Sequence, residues 1–326
     1  MAHTLRIGIL GAARIAASFV AGARQSARVD VVAVASRDVA RAEVFAQTHQ
    51  IARALTYEQM LASPEVDAVY IPLPNSLHAP WSIAAARAGK HVLCEKPLAL
   101  SEEEALGMFA AADAAGVVLL EGYPFLFQPQ TLEIERLVAA GTLGRVQTIF
   151  AACGFTLSNP DDIRFDPALG GGALLDAGCY PVSFIRQLTG TRPVRVSASA
   201  RWQRGVDETL TATLEFANGI IAQLSCSFAS GLHRTALITC SGGIIETDYS
   251  NHTARSSAPH FRLRRGSDWR NETEIVPVPR EDGFRAEVDA FAEMIADPGS
   301  ESLAARRAAS LDNAWTLAAI LAAARG

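Results

Sequence analysis

Up to about residue 120, short apolar runs alternate with segments of helical periodicity, and this alternation limits the fold more than any other feature of the sequence. Short apolar strands separated by helices are typical of β-α-β units, which form a parallel sheet covered on both faces. We therefore predict a doubly wound α/β domain over residues 1–121. Ser101 and Glu104 predict a capping box. The predicted strands are 5–10, 29–35, 67–72, 91–94 and 117–120, and the predicted helices are 13–25, 38–48, one that ends near 88–89, and 101–115.

Beyond residue 122 the pattern changes to long strands with alternating apolar side chains. Residues 210–216 and 222–228 place an apolar side chain at every second position, and the Asn218-Gly219 pair between them is typical of a hairpin turn. We predict a C-terminal α+β domain over residues 122–326 with a large, mostly antiparallel open sheet, whose closing helices can pack back on the first domain. Its further strands are predicted at 144–154, 193–203, 234–249 and 259–279, and its helices at 128–140, 173–189, 284–296 and 301–325.

The composition argues against several classes of function. The 326-residue chain has 29 lysines and arginines against 34 aspartates and glutamates, a net charge of −5, which disfavours nucleic acids and membrane surfaces as partners. We expect a small-molecule substrate instead. Neither a signal peptide nor an uncharged apolar run of membrane-spanning length is apparent, which predicts a cytoplasmic protein. The five cysteines contain no C-x-x-C pair, which predicts free thiols and no metal site.

Residues 8–16, GILGAARIA, join the first predicted strand to the first predicted helix. The pattern G-x-x-G-x-A is a shifted form of the dinucleotide-binding fingerprint, in which Gly11 lets the backbone approach a pyrophosphate and Ala13 takes the close-packing position. The helix start supplies free N–H groups and the positive end of its dipole. A plain strand-to-helix turn is the alternative. We predict a Rossmann domain with a cofactor-binding turn formed by Gly8, Gly11, Ala12, Ala13, Arg14 and Ile15.

The end of the second predicted strand favours NADP over NAD. NAD enzymes usually carry an acidic residue there to hold the ribose hydroxyls, whereas this chain has Ser36 and Arg37. A hydroxyl and a guanidinium would bind a 2′-phosphate that a carboxylate would repel. The next residue, Asp38, fits better as the N-cap of the following helix. We predict NADP as the cofactor, with NAD as the less favoured alternative and a solvated surface role as the alternative for Arg37.

Three further runs carry a family resemblance: YIPLPNSLHAP at 70–80, GKHVLCEKPL at 89–98 and GGGALLDAGCY at 170–180. Together with the glycine turn, they make the whole chain resemble the Gfo/Idh/MocA family, the group of glucose–fructose oxidoreductases and inositol dehydrogenases. Tyr180 stands where inositol dehydrogenase-type members carry histidine. This residue and the run at 163–172 resemble the branch of NADP-dependent D-xylose (aldose) 1-dehydrogenases and dimeric dihydrodiol dehydrogenases.

The resemblance implies roles for residues at the ends of the predicted strands. It puts Lys96 near the nicotinamide and the reacting oxygen, and Glu95 on the ribose side of the cofactor. It makes Pro72, Asn75 and His78 contacts on the cofactor side, where ligands bind in open α/β sheets. A surface histidine at a helix N-terminus is the alternative for His78.

The chemistry of alcohol oxidation supports a catalytic pair. A carbon that loses hydride must also have its oxygen lose a proton, and a tyrosine phenol, with a pKa of about 10, is too weak a base for this at neutral pH unless a nearby ammonium lowers that pKa. Tyr180 with Lys96 is the predicted acid/base pair. Asp176, four residues earlier and on the same helix face, would hold a substrate hydroxyl or orient Lys96. The alternatives are a core aromatic for Tyr180 and a helix N-terminal carboxylate for Asp176.

The segment EGYPFLFQP at 121–129 departs from the family pattern, because many relatives carry an arginine and often a histidine where this chain has Leu126 and Gln128. We expect a more apolar cleft wall, which suits a cyclic substrate with one apolar face. The predicted substrate-binding residues are Tyr123, Phe125, Arg164, Asp176 and Tyr180, with Trp202 as a further candidate.

The sequence thus predicts an NADP-dependent oxidoreductase that transfers a hydride between the nicotinamide and a cyclic sugar or polyol. One alternative is a trans-dihydrodiol or dicarbonyl dehydrogenase, which the aromatic segment favours. Another is a non-catalytic NADP(H)-binding regulator on the same fold. The joint presence of Lys96, Asp176 and Tyr180 argues against the regulator. We also predict a homodimer or tetramer through the C-terminal sheet.

Overall fold

The computed structural model describes residues 4–268 and 270–326. These residues form two compact units. The first comprises Met1–Pro124 and Gly283–Ser310, and the second comprises Phe125–Asp282 and Leu311–Gly326. The first change of unit, at Pro124, lies close to the predicted boundary after residue 121.

The first unit contains a six-stranded sheet in the order β3-β2-β1-β4-β5-β6, in which every neighbouring pair is parallel. The order reverses between β1 and β4, which is the switch point where ligands bind in such sheets. The predicted Rossmann fold is therefore confirmed. Its strands are β1 (Leu5–Leu10), β2 (Val29–Ala35), β3 (Arg53–Leu55), β4 (Ala68–Ile71), β5 (His91–Glu95) and β6 (Leu119–Gly122). Its helices are α1 (Arg14–Ala23), α2 (Val39–Thr48), α3 (Tyr57–Ala62), α4 (His78–Arg87) and α5 (Glu102–Ala115), joined later in the chain by α8 (Gly283–Ala296).

The middle strands of this sheet are buried on both faces, as a parallel sheet between helices requires. Ile7, Ile9 and Val69 have no exposed surface. Phe19 of α1 stacks on Tyr70 of β4, with 3.8 Å between their ring centroids. Apolar packing of this kind fixes the strand ends, and the strand ends carry the candidate cofactor residues.

The start of α5 shows the predicted cap with one change. Ser101 accepts a hydrogen bond from the Glu104 backbone N–H, as a capping box requires. The Glu104 carboxylate accepts from the N–H of Leu100 instead of that of Ser101, with 2.9 Å between the two atoms. The predicted N-cap is confirmed. The predicted return bond from the Glu104 side chain to the Ser101 N–H is wrong, because Glu104 accepts from the residue before Ser101.

The second unit is built on an eight-stranded sheet in the order β14-β13-β12-β11-β7-β10-β9-β8. β7 and β10 are parallel and the other neighbours are antiparallel, so the predicted mostly antiparallel sheet is confirmed. Its strands are β7 (Val146–Thr156), β8 (Arg195–Gln203), β9 (Val206–Glu215), β10 (Ile221–Ser227), β11 (Ala229–Cys240), β12 (Gly243–Thr247), β13 (His260–Arg265) and β14 (Thr273–Pro277). Its helices are α6 (Pro129–Ala139) and α7 (Cys179–Thr189), and the chain ends in α9 (Glu301–Arg325).

The predicted hairpin of β9 and β10 is confirmed. Leu210 pairs with Cys226 and Leu214 with Ala222, and all four side chains are buried on one face. Gly219 in the connecting turn has a φ of +86°, a conformation that glycine adopts without strain.

Two segments that were predicted as single strands each form two strands in the structure. The segment 234–249 divides into β11 and β12, and 259–279 divides into β13 and β14. The first division occurs because the backbone N–H groups of Ser241 and Gly242 donate to the carbonyl oxygens of Arg145 and Leu143 instead of continuing a ladder. Gly266, with a φ of +80°, begins the second connection.

The predicted helix at 173–189 is interrupted at its start. Leu174–Gly178 forms a π-helical turn, and regular α-helix begins only at Cys179. By length and composition alone, Pro167–Thr189 would be long and apolar enough to cross a membrane. Yet 72% of the 18-residue apolar stretch within it is buried inside the protein. An apolar segment is also typical of a core helix, and Phe184 and Ile185 of α7 have no exposed surface.

Candidate active site

The glycine turn after β1 has the geometry that close approach by a ligand requires. Gly11 has a φ of +129°, and a Cβ atom there would lie 2.9 Å from the Leu73 side chain, so only glycine fits. Ala13 is the N-cap of α1 and makes no side-chain capping bond, and the first turn of α1 contains no acidic residue. In the part of the chain that the structure describes, no side chain caps this helix start, and an uncapped start offers backbone N–H groups to an anion.

The end of β2 presents positive charge beside this turn. Ser36 is buried and Arg37 is exposed. The Asp38 carboxylate accepts a hydrogen bond from the N–H of Ala40, at 3.0 Å, so its predicted role as a helix N-cap is confirmed. Arg41, in the first turn of α2, donates from Nη2 to the Ala12 carbonyl oxygen at 3.0 Å. Sequence analysis missed Arg41, although its place in the first turn of the helix that follows Arg37 was a usable signal.

The ends of β4 and β5 are joined through His78. Its ring is fully buried, which excludes the surface histidine that was the alternative prediction. Nδ1 lies 2.8 Å from the Pro97 carbonyl oxygen and Nε2 lies 2.8 Å from that of Leu73. Burial lowers the pKa of His78 to about 4, whereas the two carbonyl oxygens favour the protonated ring. His78 thus ties the segment beside Gly11 to the segment that carries Lys96.

Glu95 and Lys96 stand at the carboxyl end of β5. Glu95 is buried and its Oε1 accepts a 2.6 Å hydrogen bond from the Tyr70 hydroxyl. Lys96 is half-buried and is followed by a cis peptide bond to Pro97. Asn75 begins a short 3₁₀ turn directly before α4, and Pro72 is buried beside Gly11, with 3.7 Å between its carbonyl oxygen and a Cβ placed there. These predicted cofactor residues therefore lie at or after the carboxyl ends of strands in the same parallel sheet.

In the second unit, Asp176 lies within the π-helical turn that precedes α7. π-helical turns are rare and occur frequently at functional sites. The Arg164 Nε donates to the Asp176 Oδ2 at 2.9 Å, so two predicted substrate residues form an ion pair. Arg164 is held by its own loop, since its backbone N–H donates to Asp162 and its carbonyl oxygen accepts from Gly172.

Tyr180 stands in the first turn of α7, at the edge of an aromatic cluster. The Nδ2 of Asn251 lies 3.3 Å from the Tyr180 hydroxyl oxygen. The guanidinium of Arg234 lies over the Tyr180 ring, 4.1 Å from its centroid. Sequence analysis missed both Arg234 and Asn251.

The aromatic segment before α6 is buried. Tyr123 is 1% exposed, and Phe125 has no exposed surface and lies among Tyr180, Phe184 and Tyr249 at ring-centroid distances of 5.8 to 6.4 Å. Phe125 therefore supports Tyr180 from within the second unit, and direct substrate contact by Tyr123 or Phe125 stays a prediction. Trp202 lies on β8, with the Arg325 guanidinium 5.4 Å from its ring.

Two family models match consecutive parts of the chain. Residues 5–123 match the oxidoreductase family with an NAD-binding Rossmann fold, of the Gfo/Idh/MocA group, and residues 131–246 match the C-terminal domain of the same group.

Two of the similar proteins are a sugar dehydrogenase and a diol dehydrogenase. The chain is 39% identical to D-xylose 1-dehydrogenase (NADP⁺) 2 of Haloferax volcanii, over 89% of both chains. It is 37% identical to trans-1,2-dihydrobenzene-1,2-diol dehydrogenase of Danio rerio, over 74% of both chains.

Solved structures agree in fold over nearly the whole chain. A 3-ketoreductase from Actinomadura kijaniata, in complex with NADP and TDP-benzene, superposes with a TM-score of 0.89 at 29% identity, over 98% of both chains. An aldose-aldose oxidoreductase from Caulobacter crescentus, complexed with glycerol, gives a TM-score of 0.88 at 30% identity, over 99% of this chain and 98% of that one. The predicted family is thereby confirmed, and this chain belongs to the Gfo/Idh/MocA family of oxidoreductases.

Proposed function

We propose that the protein is an NADP-dependent oxidoreductase that moves a hydride between the nicotinamide and a hydroxyl-bearing carbon of a cyclic sugar or polyol, in the manner of an aldose 1-dehydrogenase. The observation that carries this proposal is the cofactor edge of the first unit, where Gly11 has a positive φ, α1 starts without a side-chain cap, and Arg37 and Arg41 follow β2. Similarity to an NADP-dependent D-xylose dehydrogenase over 89% of both chains supports the substrate class.

The residues of the first unit fit NADP. A Cβ at Gly11 would fill the space beside Leu73, and the start of α1 offers N–H groups for a pyrophosphate. Ser36 and Arg37 would hold the 2′-phosphate, since the carboxylate of Asp38 caps α2 through Oδ1. Ala12, Ala13, Arg14 and Ile15 would complete the turn, and Pro72, Asn75, His78 and Glu95 are the further proposed cofactor contacts. When bound, NADP supplies the nicotinamide carbon that accepts or returns the hydride.

Tyr180 is the proposed acid/base residue, which takes the hydroxyl proton during oxidation and returns it during reduction. Lys96 is its proposed electrostatic partner, because an ammonium favours the phenolate and stabilises an oxyanion. Asp176 is proposed to hold a substrate hydroxyl. Its pairing with Arg164 supports this role, since the ion pair fixes the position of the carboxylate.

A second candidate activity is oxidation of a trans-dihydrodiol. The similarity to the Danio rerio enzyme and the arginine-free segment that carries Tyr123 and Phe125 favour it. Both candidates oxidise a cyclic secondary or anomeric alcohol, so the same residues would serve either reaction.

We also propose a homodimer or tetramer through the open face of the C-terminal sheet, and a cytoplasmic location. This face contains a groove of about 500 Å³, lined by small polar and apolar side chains from neighbouring strands. Phe150, which is 41% exposed, lies in this groove with Thr211, Gln223 and Thr235. Sedimentation that gives a monomer's mass at every protein concentration would overturn the oligomer.

The function is tested by following reduced nicotinamide by its absorbance with purified protein, NADP⁺ or NAD⁺, and D-xylose, D-glucose, myo-inositol or a trans-dihydrodiol. We expect turnover with NADP⁺ and an aldose, and its loss in Tyr180→Phe. Turnover with the dihydrodiol alone would support the second candidate. Binding of NADP(H) without turnover of any substrate would contradict the proposal.

A further inference from the structure

Arg234 occupies an inward-facing position of β11, where a charged side chain is unexpected. It shares its face with Ala236 and Ile238, which are both buried. The register between β11 and β7 is irregular between Ala229 and His233, directly before Arg234. Such irregularities re-aim side chains and are common beside active sites.

The guanidinium of Arg234 is surrounded by three aromatic rings of the second unit. Its central carbon lies 4.1 Å from the ring centroid of Tyr180, 4.5 Å from that of Tyr249 and 5.1 Å from that of Phe125. Within residues 4–268 and 270–326, its buried Nε and Nη2 atoms have no hydrogen-bond partner. The faces of these rings and a hydrogen bond to the Tyr249 side chain therefore offset the desolvation of the guanidinium. A planar guanidinium tolerates such stacking better than an ammonium does.

We infer that Arg234 is a positioning residue for Tyr180, because its guanidinium holds the phenol ring in place and stabilises the phenolate relative to the phenol. The negative charge of a phenolate spreads into the ring, so a cation over the ring face interacts more strongly with the phenolate. This inference rests on the proposed acid/base role of Tyr180. Asn251 acts in the same direction, since its amide donates to the Tyr180 oxygen.

The other titratable groups near this cluster do not replace Arg234. Burial and the nearby charge of Arg255 lower the pKa of His252 to about 4, so His252 is neutral at pH 7. Its partner Asp282 lies 3.8 Å away. Cys153 and Cys179 lie near Tyr249, where they disfavour a phenolate. Asp176, on the same helical segment as Tyr180, is paired with Arg164. Lys96, the proposed partner from the first unit, stays unchanged in every variant below.

The titration of Tyr180 tests the inference without reference to turnover. The protein has five tyrosines, so the ultraviolet absorbance of phenolate is recorded against pH for wild-type protein and for Tyr180→Phe, and the difference isolates Tyr180. Burial raises the pKa values of Tyr57 and Tyr249, which moves the titration of both to higher pH. In Arg234→Met we expect the Tyr180 midpoint to rise by about one pH unit or more. Arg234→Lys should restore part of this shift.

Arg325→Met is the matched control, because it removes a guanidinium from the ring of Trp202 in the same unit and should leave the Tyr180 midpoint unchanged.

The acidic limb of the pH profile of kcat should move with the midpoint in Arg234→Met, with little change in KM. If that variant does not fold, Arg234→Lys carries the test, with a smaller rise expected. An unchanged midpoint, or a change in KM alone, would overturn the inference. An active Tyr180→Phe enzyme would overturn the proposed role of Tyr180 while the titration still reports on Arg234.

Discussion

Arg164 donates a hydrogen bond to Asp176 across the start of a helix, with 2.9 Å between Nε and Oδ2. The two residues are twelve positions apart, and the loop between them is held by 3₁₀ turns that Asp162 and Asp166 cap. The ion pair thus fixes a carboxylate within an otherwise apolar π-helical turn, one turn before Tyr180.

Asp176→Asn should lower kcat/KM by about 100-fold, because a misplaced or neutral side chain would no longer hold the substrate hydroxyl. The free energy of unfolding should fall by about 1 kcal/mol or less, since the partner Arg164 is 36% exposed. Steady-state kinetics and thermal unfolding measure the two effects. Asp166→Asn, in the same loop, is the control; equal losses in the two variants would count against a role in substrate binding.

Arg37→Ala should raise KM for NADP⁺ by about 10- to 100-fold and leave KM for NAD⁺ nearly unchanged, because a charged hydrogen bond to the 2′-phosphate is lost. Initial rates with each cofactor provide the comparison. Arg28→Ala removes an exposed arginine of the same unit that pairs with Glu293, and it should affect neither cofactor. Equal losses with both cofactors would place Arg37 outside the phosphate site.

His78→Ala should weaken NADP⁺ binding and reduce the free energy of unfolding by about 2–4 kcal/mol, because it leaves a cavity and breaks both contacts that join Leu73 to Pro97. Titration calorimetry and urea unfolding would separate the two effects. His91→Asn, at the opposite end of β5, loses a single bond to the Val118 N–H and should leave cofactor affinity intact. Unchanged affinity in His78→Ala would contradict its role at the cofactor edge.

Asp207 should make stability depend on pH. Burial raises the pKa of its carboxyl from 3.8 to about 6, opposed by the N–H of Leu174. The native state therefore binds this proton more tightly than the unfolded chain, so its contribution is complete below about pH 4 and is lost as pH rises to about 6. The loss amounts to about 3 kcal/mol.

Asp207→Asn should remove this part of the dependence, since an amide oxygen still accepts from Leu174 and carries no titrating proton. Urea unfolding of wild type and variant between pH 4 and pH 7 measures it. Asp161→Asn, which changes an exposed carboxyl, should keep the wild-type slope. The same slope in Asp207→Asn as in wild type would refute the prediction.

Most of the first unit could be predicted because its strands and helices differ in period. β1 and β2 fall within the predicted bounds, and Ser101 marks the start of α5. β3 and α3 were missed because three residues of strand and six of helix carry too little periodicity to stand out.

The second unit was harder to predict because long-range contacts decide where its strands break. Ser241 and Gly242 end β11 because their N–H groups donate to a loop nearly one hundred residues earlier. No local sequence pattern predicts such a contact. The π-helical turn at Asp176 is likewise set by packing. Arg234 left one usable signal, a charge in the buried register of an alternating strand, and Asn251 left none.

The most direct test of the account is the rate of nicotinamide reduction with D-xylose by wild type and Tyr180→Phe, each with NADP⁺ and with NAD⁺. We expect wild type to prefer NADP⁺ and the variant to lose activity by about 100-fold or more while it still binds NADP⁺, because the proton has lost its acceptor. Full activity in the variant, or a preference for NAD⁺ in wild type, would contradict the account.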